Sequence, residues 1–282
     1  MLGTDDTVLC PGTLGPGTVF EHLEAAAVGE FEGVSLWALH YNAALQEGAT
    51  GPEIAASANQ LGLEVATLEA ALLWADGPGK RTQADQETDG LLKTCEILNC
   101  QNLLATTLET RLPSLPDAIE GFARLCDQAA ECDVRVSLEF LPWSGIPDLP
   151  TAWQIVQSCG RSNACLMIDG WHWFRTGGDT QLLRQIPGER IGGVQLCDAP
   201  AKPEGDLLEE AMHRRLLPGH GNADLMALIR CLDEIGSRAP LAVETFNDEL
   251  MALPLNEASR RMHEALTTVR DAARTPAGRR QT

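Results

Sequence analysis

The sequence predicts a closed (β/α)8 TIM barrel built as a single α/β domain. Three observations carry this expectation. Eight short apolar runs recur along 282 residues. Amphipathic stretches separate them, at a repeat of about 35 residues that suits strand, loop and helix in succession. No shift in composition divides the chain, and one barrel commonly takes this length. The rival is an open, doubly wound sheet. Its phosphate loop is missing after the first run, because "PGTLGPGT" lacks the GxGxxG spacing.

The elements follow in order. The first strand candidate is "TVLCPG" (7–12), and the second is "GVSLWAL" (33–39), with His40 and Tyr41 just beyond it. A helical stretch, 51–64, enters a Gly turn before the third run, "LEVATLE" (63–69), which ends on Glu69. Residues 86–100 set Leu91, Leu92, Cys95 and Leu98 on one helical side. The fourth run, "NLLATTLE" (102–109), ends on Glu109. Residues 115–133 open with Pro116 and Asp117 and carry Ile119, Phe122, Leu125 and Cys126 at helical spacing. The fifth to seventh runs are "VRVSLEF" (134–140), "ACLMID" (164–169) and "IGGVQLCD" (191–198). A helix over 222–237 opens on an Asn cap, Asn222, and closes on Gly. "PLAVETF" (240–246) is the eighth run, and 256–273 the final helix. The barrel is assigned to 1–273, and 274–282 to a flexible tail.

Composition narrows the partners. A formal charge of -19, from 40 acidic and 21 basic residues, repels a phosphate backbone and argues against nucleic acid. Nine cysteines, an odd number with no CxxC pair, read as reduced thiols of a cytoplasmic protein. The N-terminus lacks a basic or long apolar segment, so no signal peptide is expected. No apolar run nears the ~18 residues of a membrane span, so no membrane partner is expected either.

Four strand candidates end in or carry a polar residue that an apolar core would not choose. They are Glu139, Asp169, Gln195 and Glu244, on the fifth to eighth strands. In a barrel, strand ends on the C-terminal face converge at the active site. Three carboxylates held together repel unless protonated or bound to a cation. With one amide oxygen they form a hard ligand set, suited to Mn²⁺ or Mg²⁺, with Co²⁺ or Zn²⁺ also possible. The plain alternative is that some of them are polar residues that strand ends merely expose.

The chain resembles the xylose-isomerase-like TIM-barrel superfamily, in particular its sugar phosphate isomerase/epimerase group. The likeness runs from about residue 30 to 270, through "GVSLWAL", "LGLEVATLEA", "VSLEFLP", "LMIDGWHWFRTGGD", "VQLCDAP", "RRLLPGHG" and "LAVETFND". The resemblance implies that Glu139, Asp169 and Glu244 are metal ligands, with either Glu also able to move a proton. It implies that His172 binds a substrate oxygen, and that Arg214 or Arg215 contacts a substrate hydroxyl or carboxylate. The ligand on the seventh strand is commonly His in the family and is Gln195 here, as in dehydratase-like members. His220, in "PGHG", stands where the family often has Glu. A DNA-repair branch of the superfamily uses a His-rich Zn²⁺ cluster, and this chain has only 6 His.

The expected activity is a divalent-metal-dependent isomerase or epimerase. It would act on a keto-sugar or related polyhydroxy ketone through an enolate, with Glu139, Glu244 and His172 catalytic. The alternatives are a metal-dependent dehydratase of a cyclic hydroxyketone (3-dehydroshikimate or inosose type) and a non-catalytic binding barrel. Trp37, Trp74, Trp143, Trp171 and Trp173 lie near predicted strand ends, where they would wall the pocket or pack loops. Glu69 is a further substrate contact. The resemblance also allows a homo-oligomer.

Overall fold

The computed structural model describes residues 2–75, 78–112 and 114–275. Eight parallel strands form a closed barrel in sequence order. They are β1 (Thr7–Leu9), β2 (Gly33–Trp37), β3 (Glu64–Ala71), β4 (Asn102–Ala105), β5 (Arg135–Glu139), β6 (Ala164–Asp169), β7 (Ile191–Leu196) and β8 (Leu241–Val243). The ring shuts where Thr7, Val8 and Leu9 pair with Leu241, Ala242 and Val243.

Helices follow the strands. They are α1 (Val19–Val28), α2 (Ala38–Gln46), α3 (Gly51–Gln60), α4 (Arg81–Leu98), α5 (Leu115–Ala130), α6 (Leu149–Cys159), α7 (Gly170–Arg175), α8 (Thr180–Leu183), α9 (Leu207–His213), α10 (Leu225–Glu234), α11 (Asp248–Met251) and α12 (Leu255–Arg274). Local chemistry starts several of them. Thr18 and Glu21 close a capping box on α1, and Thr50 and Glu53 close another on α3. Ser114 and Asp148 cap α5 and α6.

Strand periodicity positions the site. Successive residues point to opposite faces. In β5 to β7, Val136, Leu138, Leu166, Ile168, Val194 and Leu196 join the main apolar core between sheet and helices. Their alternates therefore face the barrel interior: Ser137 and Glu139, Met167 and Asp169, Gly193 and Gln195. The interior is mixed in polarity. Val8, Cys10 and Ala242 form a small separate apolar cluster. Beside it, Asn102 donates to Thr67 Oγ1 at 3.0 Å, and Ser137 donates to Asn102 Oδ1 at 2.6 Å.

Several boundaries differ from expectation. The fourth run is strand only to Ala105: the Thr106 N–H still donates to Ala71 O, but its carbonyl accepts the Trp74 indole at 2.8 Å and is lost to the ladder. Glu109 consequently lies in an exposed loop. The third strand continues past Glu69 to Ala71. The helix expected over 222–237 is capped by Asp224, not Asn222, whose backbone N–H donates instead to Ala199 O. Of the expected tail, Arg274 ends α12 and pairs with Asp233, while 276–282 lie outside the described residues. No helix among the described residues is long and apolar enough to cross a membrane.

Candidate active site

The inward-facing alternates bring acids from four strands to the C-terminal mouth. Glu69, Glu139, Asp169, Gln195 and Glu244 are all buried, none more than 8% exposed. They form two halves. In one, the His172 ring places Nε2 at 3.6 Å from Glu139 Oε1 and 3.9 Å from Asp169 Oδ1. In the other, Gln195 Nε2 donates to Glu244 Oε1 at 2.9 Å and to Glu69 Oε1 at 3.2 Å. The Trp37 indole donates to the second Glu69 oxygen at 2.9 Å.

Arg215 joins the halves. Its NH1 donates to Asp169 Oδ2 at 2.7 Å and to Glu244 Oε2 at 3.3 Å. Its Nε donates to Ala211 O, and Phe246 lies under the guanidinium at 5.0 Å. One buried cation thus serves two buried acids.

The protonation states follow from burial and neighbours. Desolvation, then the charges of Asp169 and Glu69, push the Glu139 carboxyl well above its usual range. Desolvation and Glu69 do the same to Glu244. Glu69 is raised to about 7, chiefly by burial. Burial also opposes a charge on Asp169. Arg215, His172 and a backbone N–H outweigh it, so Asp169 lies below the usual carboxylate range. Burial holds His172 down to about 4, so the ring is neutral near pH 7.

The local sequence explains these placements. Asp169 ends β6 and also caps α7, accepting the His172 backbone N–H at 2.8 Å. That one turn sets the His172 ring beside Glu139. Gly170 lets β6 run straight into the turn, where an added Cβ would approach Leu225 and Cys197 O.

Sequence reasoning missed the support behind the site. Glu210, fully buried in α9, accepts from the Trp171 indole at 3.0 Å, from the Arg175 guanidinium and from the Glu204 backbone N–H at 2.6 Å. It ties the His172 helix to the segment that carries Arg215. Nothing in "LLEEAMHRR" separates Glu210 from its exposed neighbour Glu209, so only contact across the fold reveals it. Asp198 was likewise missed. It accepts backbone N–H groups from Ala199, Gly219 and Ala223 and so shapes the loop that follows β7.

Two expected substrate contacts are corrected. Arg214 closes α9 and meets Asn247 in an antiparallel bridge. Its side chain reaches outward to Glu209 and Glu204 O, while Arg215 enters the barrel. Trp171 is fully buried with its N–H spent on Glu210, so it backs Arg215 and His172 and does not line the mouth. Trp143 packs edge-on against His172 at 5.3 Å, and Trp37 stacks on His40. His220 is exposed in its turn.

Two groups of donor atoms among the described residues are close enough to hold a metal ion: Glu139, Asp169 and His172, and Cys10, Glu69 and Glu244. The three carboxylates expected to act together are split between them. The structure also returns His172 to the set of possible ligands.

The family model for xylose isomerase-like TIM barrels matches residues 23–269. The chain belongs to that family. A 3-dehydroshikimate dehydratase of Pseudomonas aeruginosa is 30% identical over 252 residues, covering 84% of this chain and 38% of that protein. This xylose isomerase-like barrel therefore spans about two fifths of that relative's length. An inosose isomerase of Bacillus subtilis is 29% identical over 179 residues, covering 61% of this chain and 63% of that protein. The solved IOLI protein, with a bound zinc atom, superposes with a TM-score of 0.88 at 21% identity, covering 96% of this chain and 100% of that one. That likeness concerns the fold.

Proposed function

We propose that this chain is a metal-assisted lyase that removes water from a cyclic β-hydroxyketone of the 3-dehydroshikimate or inosose type. The carrying observation is the placement of proton-transfer groups on both sides of Arg215, with Glu139 and His172 on one and Glu244, Glu69 and Gln195 on the other. Elimination next to a ketone needs a base at the α-carbon and an acid at the departing hydroxyl, and two facing groups can supply both. The likeness to a 3-dehydroshikimate dehydratase over most of the chain supports this reading over the expected sugar isomerase or epimerase.

The residues fit a divalent cation. The Gln195 Oε1 atom is buried and has no hydrogen-bond partner, while its amide nitrogen is fully engaged. Burial, then the charges of neighbouring acids, keeps protons on Glu139 and Glu244, and a cation relieves both costs. Glu139, Asp169, Gln195 and Glu244 would hold the ion, Mn²⁺ or Mg²⁺ by hardness, provided that its charge draws together the two halves between which these carboxylates are now divided. Zn²⁺, bound in the structural relative, and Co²⁺ are also compatible with the set. The ion would supply Lewis-acid polarisation of the substrate carbonyl.

The chain's own groups do the rest. Arg215 keeps Asp169 ionised and presents its remaining N–H groups near the mouth. Neutral His172 offers a nitrogen beside Glu139 for a substrate hydroxyl. Glu139 and Glu244 are the candidates to take the α-proton and to protonate the leaving oxygen. Trp37 fixes Glu69, and Trp143 walls the His172 side.

A second reading rests on the likeness to inosose isomerase. There the same groups would take and return a proton without loss of water. Incubation with 3-dehydroshikimate and with inosose in the presence of Mn²⁺ separates the two. The lyase reading expects new conjugated absorbance. Solvent deuterium entering an α-position with no water lost would transfer the protein to the isomerase reading. Glu139→Gln and Glu244→Gln should each abolish turnover; unchanged turnover in both would overturn their catalytic assignment, and a wild-type protein that turns over neither substrate would leave a binding barrel.

A further inference from the structure

A TIM barrel ordinarily fills its interior with layers of branched side chains. This one fills it only in part. A cavity of about 800 Å³ starts among Leu2, Thr4, Gln101 and Arg238 at the N-terminal face and reaches Cys10, Glu69 and Gln195 beneath the mouth. Small residues, including Ser35, Ala66, Gly192, Gly193 and Ala242, make up part of its wall. At Gly192 a Cβ would come within 2.0 Å of Ser137 Oγ, and at Gly193 within 2.4 Å of the Met167 methyl, so the two glycines of β7 add nothing to the shaft beyond the side chains that neighbouring strands send across.

Polar groups are set into this wall among apolar ones such as Val8, Val65 and Val194. Thr67 and Asn102 line it as part of the Thr67–Asn102–Ser137 network. The Ser35 hydroxyl lines it too, 2% exposed and beside Glu69 and Cys10. Polar, roomy cavities hold water, whereas apolar ones stay dry.

We infer that the barrel interior is a water conduit, with a column of water running from the N-terminal face to Glu69 and Gln195. It enters the site from the side opposite the substrate mouth. Its role in turnover rests on the proposed lyase reading, and its existence does not. In that reaction a base removes the α-proton and the C–H electron pair becomes the new C=C bond. The C–O bond breaks with its electrons on oxygen, and that oxygen takes a proton and leaves as water. A bound ketone covers the mouth, so the conduit gives this water an exit.

The test narrows the far end of the shaft, away from the acids. Ala66→Leu and Val8→Phe each add bulk to its wall. Deuterium relaxation dispersion of the wild-type protein should report long-lived internal water, and each folded variant should lose part of it. If one variant fails to fold, the other carries the measurement. A wild-type shaft without long-lived water overturns the conduit. With active enzyme, narrowing should lower kcat several-fold while KM and metal affinity stay unchanged. Loss of internal water at unchanged kcat overturns the exit role. Absence of any activity in the wild type counts against the lyase reading and leaves the relaxation result standing.

Discussion

Arg215 is the single residue on which the mouth depends most. It is 2% exposed, neutralises the ionised Asp169 and donates to Glu244 as well. Removing one partner of a buried ion pair leaves the other charges uncompensated, at a cost of about 3–5 kcal/mol. Arg215→Ala should lose that much in urea unfolding, whereas Arg214→Ala, at an exposed pair, should lose under about 1 kcal/mol. Glu69 sets a pH dependence of definite sign. Its folded carboxyl keeps its proton up to about 7, against an ordinary value of 4.5. The stability this gives is complete below pH 4.5 and fades as pH rises through 7. His172 acts the other way, because its folded value of about 4 lies below the ordinary 6.5, so its contribution is lost as pH falls from 6.5 to 4. In chelator-treated protein, Glu69→Gln should therefore flatten the fall in unfolding midpoint between pH 4.5 and 7. An unaltered slope would remove Glu69 as its source.

At the scale of elements, α7 and α9 form one unit through Glu210. Glu210→Ala strands a buried guanidinium and indole, and the same ion-pair argument gives a loss of about 3–5 kcal/mol. Glu210→Gln keeps an acceptor for the indole and should lose less, a difference that paired thermal melts resolve. Strands and helices were largely legible in the sequence because periodicity announces them. β6 matches its run at both ends, and its terminal acid was visible as an Asp closing five apolar residues. What stayed hidden depends on contacts between distant segments. The choice between Arg214 and Arg215 turns on a bridge to Asn247, and the burial of Glu210 turns on Trp171 and Arg175. The early end of β4 turns on Trp74, which lies on another loop. None of these leaves a local pattern.

For the whole molecule, the charge of -19 and the buried acids act in one direction. Both make the uptake of a divalent cation favourable, and the mouth is where it relieves the most. Binding must displace the protons that burial keeps on Glu139 and Glu244. Titration with Mn²⁺ in buffers of different ionisation enthalpy should therefore show proton release. The rise in Tm at saturating ion should also be greater at pH 8 than at pH 6. A pH-independent shift with no proton release would place the ion elsewhere.

The bridge that turns Arg214 outward and Arg215 inward has a genetic consequence. The two arginines are neighbours, so deleting either codon yields the same shortened protein. Leu216 is held to Asp198 by a pair of backbone hydrogen bonds, which anchors the segment from its downstream side. With that anchor kept, the surviving arginine should take the inward position, the lost residue being drawn from the end of α9. The chain thus carries a duplicate of its most exacting side chain one codon away. In-frame loss of that codon should be tolerated far better than a missense change at Arg215.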